Sequence, residues 1–195
     1  MRRNLITAVL MTVVTTILLG LVYPLVVTGL AQVLFPGQAN GQLIQRNGQA
    51  VGSASIGQGF SSPGYFHGRA SAAGQGYDAT SSGGTNLGPT NKKLIDGVKA
   101  AVDAARKENP NADVPIDLVT TSASGFDPHV SPDNAMFQVP RVAKTRGIAE
   151  PELRKFVAGR IEGRQLGFLG EPRVNVLLLN LALDERWPAQ SSAKR

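Results

Sequence analysis

Residues 4–45 contain no Asp, Glu, Lys, Arg or His. Within that stretch residues 5–23 read LITAVLMTVVTTILLGLVY, and the apolar character persists to Leu34. A bilayer hydrocarbon core is about 30 Å thick and needs roughly 20 apolar helical residues, so this stretch can cross it. Residues 5–34 are therefore predicted to form a transmembrane helix with a short extension. A cleaved signal peptide would also begin basic and then apolar, but its apolar region is typically about 7 to 15 residues long. The length of the run, with Tyr23 and Pro24 inside it, favours a retained anchor.

The flanks orient the span. Arg2 and Arg3 precede it, and Arg46 is the only basic residue between it and Arg69. Short segments rich in Arg and Lys stay in the cytoplasm, so the N-terminus is expected inside and the rest of the chain outside. Ala8, Thr12, Thr16 and Gly20 follow at four-residue steps and lay a row of small side chains along one helix face, where another membrane helix could approach closely. Pro24 removes a backbone donor just past that row, which is easier to accommodate against protein than against bare lipid.

About 160 residues lie beyond the span, enough for one domain with its own core. All 14 acidic residues and 18 of the 20 basic ones fall there, dispersed and without a long basic run, so nucleic acid is not an expected partner. The chain has no cysteine, which excludes disulfides, thiolate metal sites and cysteine nucleophiles.

Residues 36–91 hold 13 of the 22 glycines. Asn47-Gly48 between two short runs is a hairpin signal, and residues 42–46 and 49–56 are read as paired strands. The scarce aromatics Phe60, Tyr65, Phe66 and Tyr77 then cluster in the glycine-rich stretch, which argues for a long ordered loop rather than a flexible linker. Asn91 or Thr90 can cap a helix over 92–108 with Leu94, Val98, Ala101, Val102 and Ala105 on its inner face. Residues 115–121 read as a short strand. Ser131-Pro132 starts a helix that runs toward Arg146, with Pro140 expected to interrupt or kink it and Gly147 closing it. A further helix begins near Pro151, with Leu153, Phe156, Val157 and Ile161 inward. Residues 173–180, RVNVLLLN, look like a buried strand, and the tail from Trp187 looks frayed. The fold class is thus α+β: one transmembrane helix (5–34), a single mixed extracytoplasmic domain (36–188) with a long glycine-rich ordered loop, and a frayed tail (189–195).

No glycine-rich stretch ends in the Gly-Lys-Ser/Thr of a phosphate-binding P-loop. A serine hydrolase could use Ser122 or Ser124 with Asp127 and His129, yet there is no Gly-x-Ser-x-Gly elbow and one turn seldom aligns three such groups. His67 and His129, the only histidines, show no ligand spacing with Asp78 or Asp127, so no metal site is expected.

One resemblance runs through nearly the whole chain. Tyr23-Pro24-Leu25, Phe35-Pro36, Tyr65-Phe66-His67-Gly68-Arg69, Ser82-Gly83-Gly84, Asn86-Leu87, Ser122-Ala123-Ser124-Gly125, Asp127-Pro128-His129, Gly170-Glu171-Pro172-Arg173-Val174-Asn175 and Asn180-Leu181-Ala182-Leu183-Asp184 stand in the order seen in the C subunits of the Kdp potassium-transporting P-type ATPases. The chain resembles that family. The resemblance implies a non-catalytic accessory subunit in a bacterial inner-membrane complex, its partners being a channel-like potassium-translocating subunit, a P-type ATPase subunit and a small single-span subunit, with membrane lipid around the helix. It further implies a catalytic chaperone that raises the ATP affinity of the ATPase subunit, with no tightly bound cofactor and ATP met only through the complex. Consistent with this, the phosphorylated Asp-Lys-Thr-Gly-Thr and filter Thr-Val-Gly-Tyr-Gly motifs are absent. A periplasmic domain cannot touch cytoplasmic ATP, so such an effect would have to pass through the membrane or the topology would have to be reversed. A membrane-anchored periplasmic serine hydrolase is the rival expectation.

Overall fold

The structure, a computed structural model, describes residues 1–188, so the expectation for the tail at 189–195 lies outside the described residues. The chain divides into two compact units, residues 1–51 and residues 52 onward.

The first unit is built on one helical run of 33 residues, Arg2–Leu34, long and apolar enough to cross a membrane. It consists of α1 (Arg2–Ile17), a π-helical turn (Leu18–Val22) and α2 (Tyr23–Leu34). The wide turn ends where Pro24 enters, and the Tyr23 N–H there donates to the Leu18 carbonyl five residues back. A proline ring crowds the preceding turn and lacks an N–H, and a π turn is one way a helix absorbs this without breaking. Threonines along α1 return their hydroxyls to the helix: Thr12 Oγ1 donates to the Ala8 carbonyl at 2.9 Å and Thr15 Oγ1 to that of Met11 at 2.7 Å. After α2, α3 (Pro36–Ala39) turns the chain, and Asn40 and Gln32 exchange side-chain amide hydrogen bonds at 3.3 and 3.2 Å. β1 (Leu43–Arg46) and β2 (Gln49–Ser53) form a two-stranded sheet. Asn47 and Gly48, with φ of 53° and 77°, supply the two left-handed residues its turn requires.

The second unit contains α4 (Lys92–Glu108), α5 (Ile116–Val119), β3 (His129–Val130), α6 (Pro132–Arg146), α7 (Glu150–Ala158), β4 (Val174–Asn175) and α8 (Val176–Arg186). Its core is one cluster: Ala135, Val139, Val142 and Ala143 of α6, Leu153 and Val157 of α7, Val176, Leu179 and Leu183 of α8, Val130 and Val174 from the strands, and Phe66 from the glycine-rich segment. β3 and β4 pair antiparallel, His129 opposite Asn175 and Val130 opposite Val174. The caps follow side-chain chemistry: Asn91 accepts from Lys93 N, Ser131 from Asn134 N and Asn175 from Leu178 N. Gly147 ends α6 in the left-handed region.

Four expectations change. Residues 115–121 are not a strand: 116–119 form the single turn α5, with Asp117 drawn toward Ser131 and the Thr120 hydroxyl returned to the Ile116 carbonyl. Residues 173–180 are a strand only at 174–175, because Asn175 caps a helix there. The run looks strand-like because α8 buries Val176, Leu177, Leu179, Asn180 and Leu183 while its other face carries Leu178, Leu181 and Ala182, so little polar periodicity marks a helix. α6 continues through Pro140 without interruption, since Val139 and Val142 on either side are fully buried and hold it by packing. Trp187 is not frayed; it packs edge-on against Phe156 at 4.9 Å and its carbonyl accepts from Arg146.

Candidate functional site

The aromatic-histidine segment at 65–69 crosses α6 and α8, and two buried amides hold its backbone. Asn180 Oδ1 accepts from the Phe66 N–H and Asn180 Nδ2 donates to the Phe66 carbonyl, both at 2.9 Å. Gln138 does the same for His67, accepting from its N–H at 2.8 Å and donating to its carbonyl at 3.0 Å. Each amide imitates a neighbouring β-strand, satisfying one backbone donor and one acceptor, Asn180 those of Phe66 and Gln138 those of His67. The polar chain continues from α6 to α5: Gln138 Nε2 also donates to Asn134 Oδ1 at 2.7 Å, Asn134 Nδ2 to Asp117 Oδ2 at 3.0 Å, and Asp117 accepts from both the N–H and the hydroxyl of Ser131.

Two arginines of α6 fasten the start of the segment. Arg141 donates to the carbonyls of Pro63 and Tyr65 and pairs with Glu108 at 2.8 Å. Arg146 donates to the Gly64 carbonyl at 2.6 Å, pairs with Asp184 at 2.8 Å and lies over the Tyr65 ring, whose hydroxyl donates to the other oxygen of Asp184. Burial and the Asp184 carboxylate push the Tyr65 hydroxyl above its ordinary pKa.

At the other end Arg69 reaches the turn at 120–129. Its guanidinium pairs with Asp127 at 3.1 Å and donates to the Thr121 carbonyl at 3.1 Å. Asp127 Oδ1 accepts from the His129 N–H at 3.0 Å, with the His129 ring 3.8 Å away. Gly68 passes against the Tyr77 hydroxyl, which donates to the Arg69 carbonyl. Arg69, Asp117, Asp127, His129, Ser131 and Arg173 line an open cleft of about 500 Å³. Burial, reinforced by Arg173, pushes the His129 imidazole below its ordinary pKa, against the opposing pull of Glu162 and Asp127. Burial does the same to His67, whose Nε2 donates to the Ser62 carbonyl at 3.0 Å.

The remaining motif residues close the same turn. The Gly83 N–H and the Ser82 hydroxyl donate to the Ser124 carbonyl, Gly84 lies against Ala123, and Asn86 adopts a left-handed φ of 52°. The serines imagined as nucleophiles are committed locally: Ser122 Oγ accepts from the Gly125 N–H at 2.9 Å and Ser124 Oγ from that of Phe126 at 3.2 Å. Neither lines the cleft, and among the described residues no hydrogen bond joins either to His129. The hydrolase geometry is thus not assembled, and no group of three or more His, Cys, Asp or Glu among the described residues is placed to hold a metal.

Of the 65–69 segment, Arg69 therefore meets Asp127 in the turn that carries His129, while Tyr65, Phe66 and His67 are held by Asp184, Asn180 and Gln138; Gly83 and Gly84 brace the turn at Ser124 and Ala123. Ala8, Thr12, Thr16 and Gly20 remain a row on the membrane helix, where a Cβ built on Gly20 would sit 3.9 Å from Thr16 Cγ2. In the sequence Gln138 passes unremarked, and Asn180, Arg141 and Asp117 stand out only as members of family-like blocks and Arg146 only as a helix end, with no partner indicated for any of them. Their signal was there: Asn134 and Gln138 stand four apart on an otherwise apolar helix face, and Asn180 interrupts a leucine run.

Comparison with known proteins covers the chain from the membrane helix to α8. A family model described as K+-transporting ATPase, c chain, matches residues 5–185. The potassium-transporting ATPase KdpC subunit of Koribacter versatilis is 65% identical over 188 residues, 96% of this chain and 97% of that one. Those of Myxococcus xanthus and Bradyrhizobium diazoefficiens are 58% and 53% identical, spanning 88% and 98% of their own lengths. The membrane helix, the clamped segment 65–69 and the turn at 120–129 all lie inside these matches, and the chain belongs to the KdpC family, the c chains of K+-transporting ATPases.

Proposed function

We propose that this chain is a non-catalytic accessory subunit of an ATP-driven potassium-uptake complex in the bacterial inner membrane. The observation that carries this reading is the extent of the match, residues 5–185, which takes in the membrane helix as well as the domain. The names of the relatives, potassium-transporting ATPase KdpC subunits, point the same way. The side chains around the 64–67 segment support an accessory role, since Asn180, Gln138 and Arg146 hold its backbone.

In this reading the N-terminus is cytoplasmic, the domain periplasmic, and the face of Ala8, Thr12, Thr16 and Gly20 docks on helices of the channel-like, ATPase and small single-span subunits. Any rise in the ATP affinity of the ATPase subunit then reaches its nucleotide site as a coupling free energy carried through the membrane helices. This chain holds no cofactor of its own, and ATP is met only through the complex.

Topology is the direct test, and the absence of cysteine simplifies it. A single cysteine at the exposed Ser81 is expected to react with a membrane-impermeant thiol reagent in intact cells. Reaction only after lysis would overturn the periplasmic assignment. In parallel, Gly20→Leu is expected to reduce co-purification with the complex and potassium-limited growth. Unchanged values would remove the docking face.

A further inference from the structure

Between α7 and β4 the chain makes a narrow hairpin that the proposed function leaves unused. Glu162 and Arg173 bridge at its base and Gln165 and Leu169 near its tip. Leu166, Phe168 and Leu169 at the tip are 83%, 68% and 47% exposed. Leu166 and Gly167 both have positive φ, 53° and 82°. A left-handed leucine is uncommon, and a turn of this kind ordinarily takes Asn or Gly at no steric penalty. The strained residue is also the most exposed of the three, so the strain goes into presenting an apolar side chain.

We propose that this tip is a docking anchor that enters an apolar cleft on another protein subunit of the membrane assembly; the proposal rests on the accessory-subunit reading above. The stem says what kind of surface it meets. Arg164 pairs with Glu171 at 2.6 Å, Arg173 pairs with Glu162 at 2.9 Å, and the Arg160 guanidinium lies 3.6 Å over the Phe156 ring. The cations beside the tip are thus engaged within the domain, whereas a loop built for an anionic bilayer keeps free cations next to its apolar residues. A second copy is a poor occupant, because a tip-to-tip contact of three side chains falls well short of the roughly 1,200 Å² of a stable interface. Residues 189–195 read AQSSAKR and are too polar to cover it. A stem whose arginines are engaged by Glu162, Glu171 and the Phe156 ring, and which carries an aromatic and two leucines, suits a protein cleft, and a small anchor suffices where a membrane helix already holds the same partners close.

The test places a photo-crosslinking benzoylphenylalanine at Phe168 in the full-length chain, expressed with the other subunits. Irradiation is expected to give an adduct with another protein subunit. Leu166→Asn in the same chain is expected to reduce that adduct about fivefold or more, while the Tm of the purified chain holds or rises as the turn relaxes. Adducts confined to lipid or to a second copy, no adduct at all, or a lowered Tm in Leu166→Asn would each overturn the anchor. Retention of the unsubstituted chain on the complex separates the two levels. If it is retained while the tip gives no protein adduct, only the anchor falls; if it is not retained, the accessory-subunit reading falls and the anchor with it.

Discussion

Asn180 grips Phe66 from both sides of one residue, its carbonyl oxygen on the Phe66 N–H and its amide nitrogen on the Phe66 carbonyl, each at 2.9 Å. Phe66 is fully buried and lies in no strand, so without Asn180 two main-chain groups would enter the core unpaired. Asn180→Leu is therefore expected to destabilise the protein by about 2–4 kcal/mol, read as a lower urea midpoint for the full chain in detergent. Asn180→Asp should be similarly harmful at neutral pH, because a carboxylate cannot donate to the Phe66 carbonyl. It should recover in part on acidification, when the protonated acid can. Equal stability of Asn180→Leu and the parent would show that the clamp contributes nothing.

Arg146 is the most enclosed ion-pair partner among the described residues, its side chain only 5% exposed, and Asp184 is its carboxylate. Asp184→Ala leaves that guanidinium with the Gly64 and Trp187 carbonyls and the Tyr65 ring but no counter-charge. The expected loss is about 2–3 kcal/mol, moderated because Asp184 is partly hydrated. Arg146→Met in the same chain should restore part of it, since the uncompensated charge is then gone. A double-mutant cycle in thermal unfolding gives the coupling directly, and additive losses would contradict it.

Both histidines titrate below their ordinary pKa, chiefly because burial disfavours the imidazolium. Below about 6.5 the unfolded chain therefore binds more protons than the folded one, and stability rises with pH in that window. The protein should keep full stability above about pH 6.5 and lose it progressively as pH falls toward the depressed folded values. His129→Asn should flatten the pH dependence of the urea midpoint between pH 7.5 and 5.5. An unchanged slope in both His129→Asn and His67→Asn would assign the acid sensitivity to carboxylates instead.

Two glycines of the motif-rich region should behave oppositely. A Cβ on Gly57 would stand 2.5 Å from the Asp127 carbonyl oxygen, a backbone atom that can move only by displacing the turn beside His129. A Cβ on Gly83 would meet nothing within 4 Å. Gly57→Ala is expected to destabilise by about 1–3 kcal/mol and to perturb the His129 resonances. Gly83→Ala should stay within about 0.5 kcal/mol of the parent. Thermal unfolding of the pair separates a steric requirement from a loop that merely happens to be rich in glycine.

The membrane helix, the Asn47-Gly48 hairpin, the caps at Asn91 and Ser131 and the stop at Gly147 were all legible in the chain, because each depends on residues within a few positions of one another. The resemblance was carried by short blocks of the same local kind. Residues 115–121 and 173–180 mislead where apolar content is clear but its period is not: a helix such as α8, whose outer face still carries Leu178, Leu181 and Ala182, lacks the polar face that would announce it. The small-residue row and the span could be read from spacing alone, whereas the π turn that joins α1 to α2 at Pro24 could not. What no local pattern could supply was the set of partners for Phe66, His67 and Arg69. Those are Asn180, Gln138 and Asp127, separated in sequence by 114, 71 and 58 residues. Such pairings exist only once α6, α8 and the 120–129 turn have packed, since it is burial that forces each stranded backbone group and charge to find a partner.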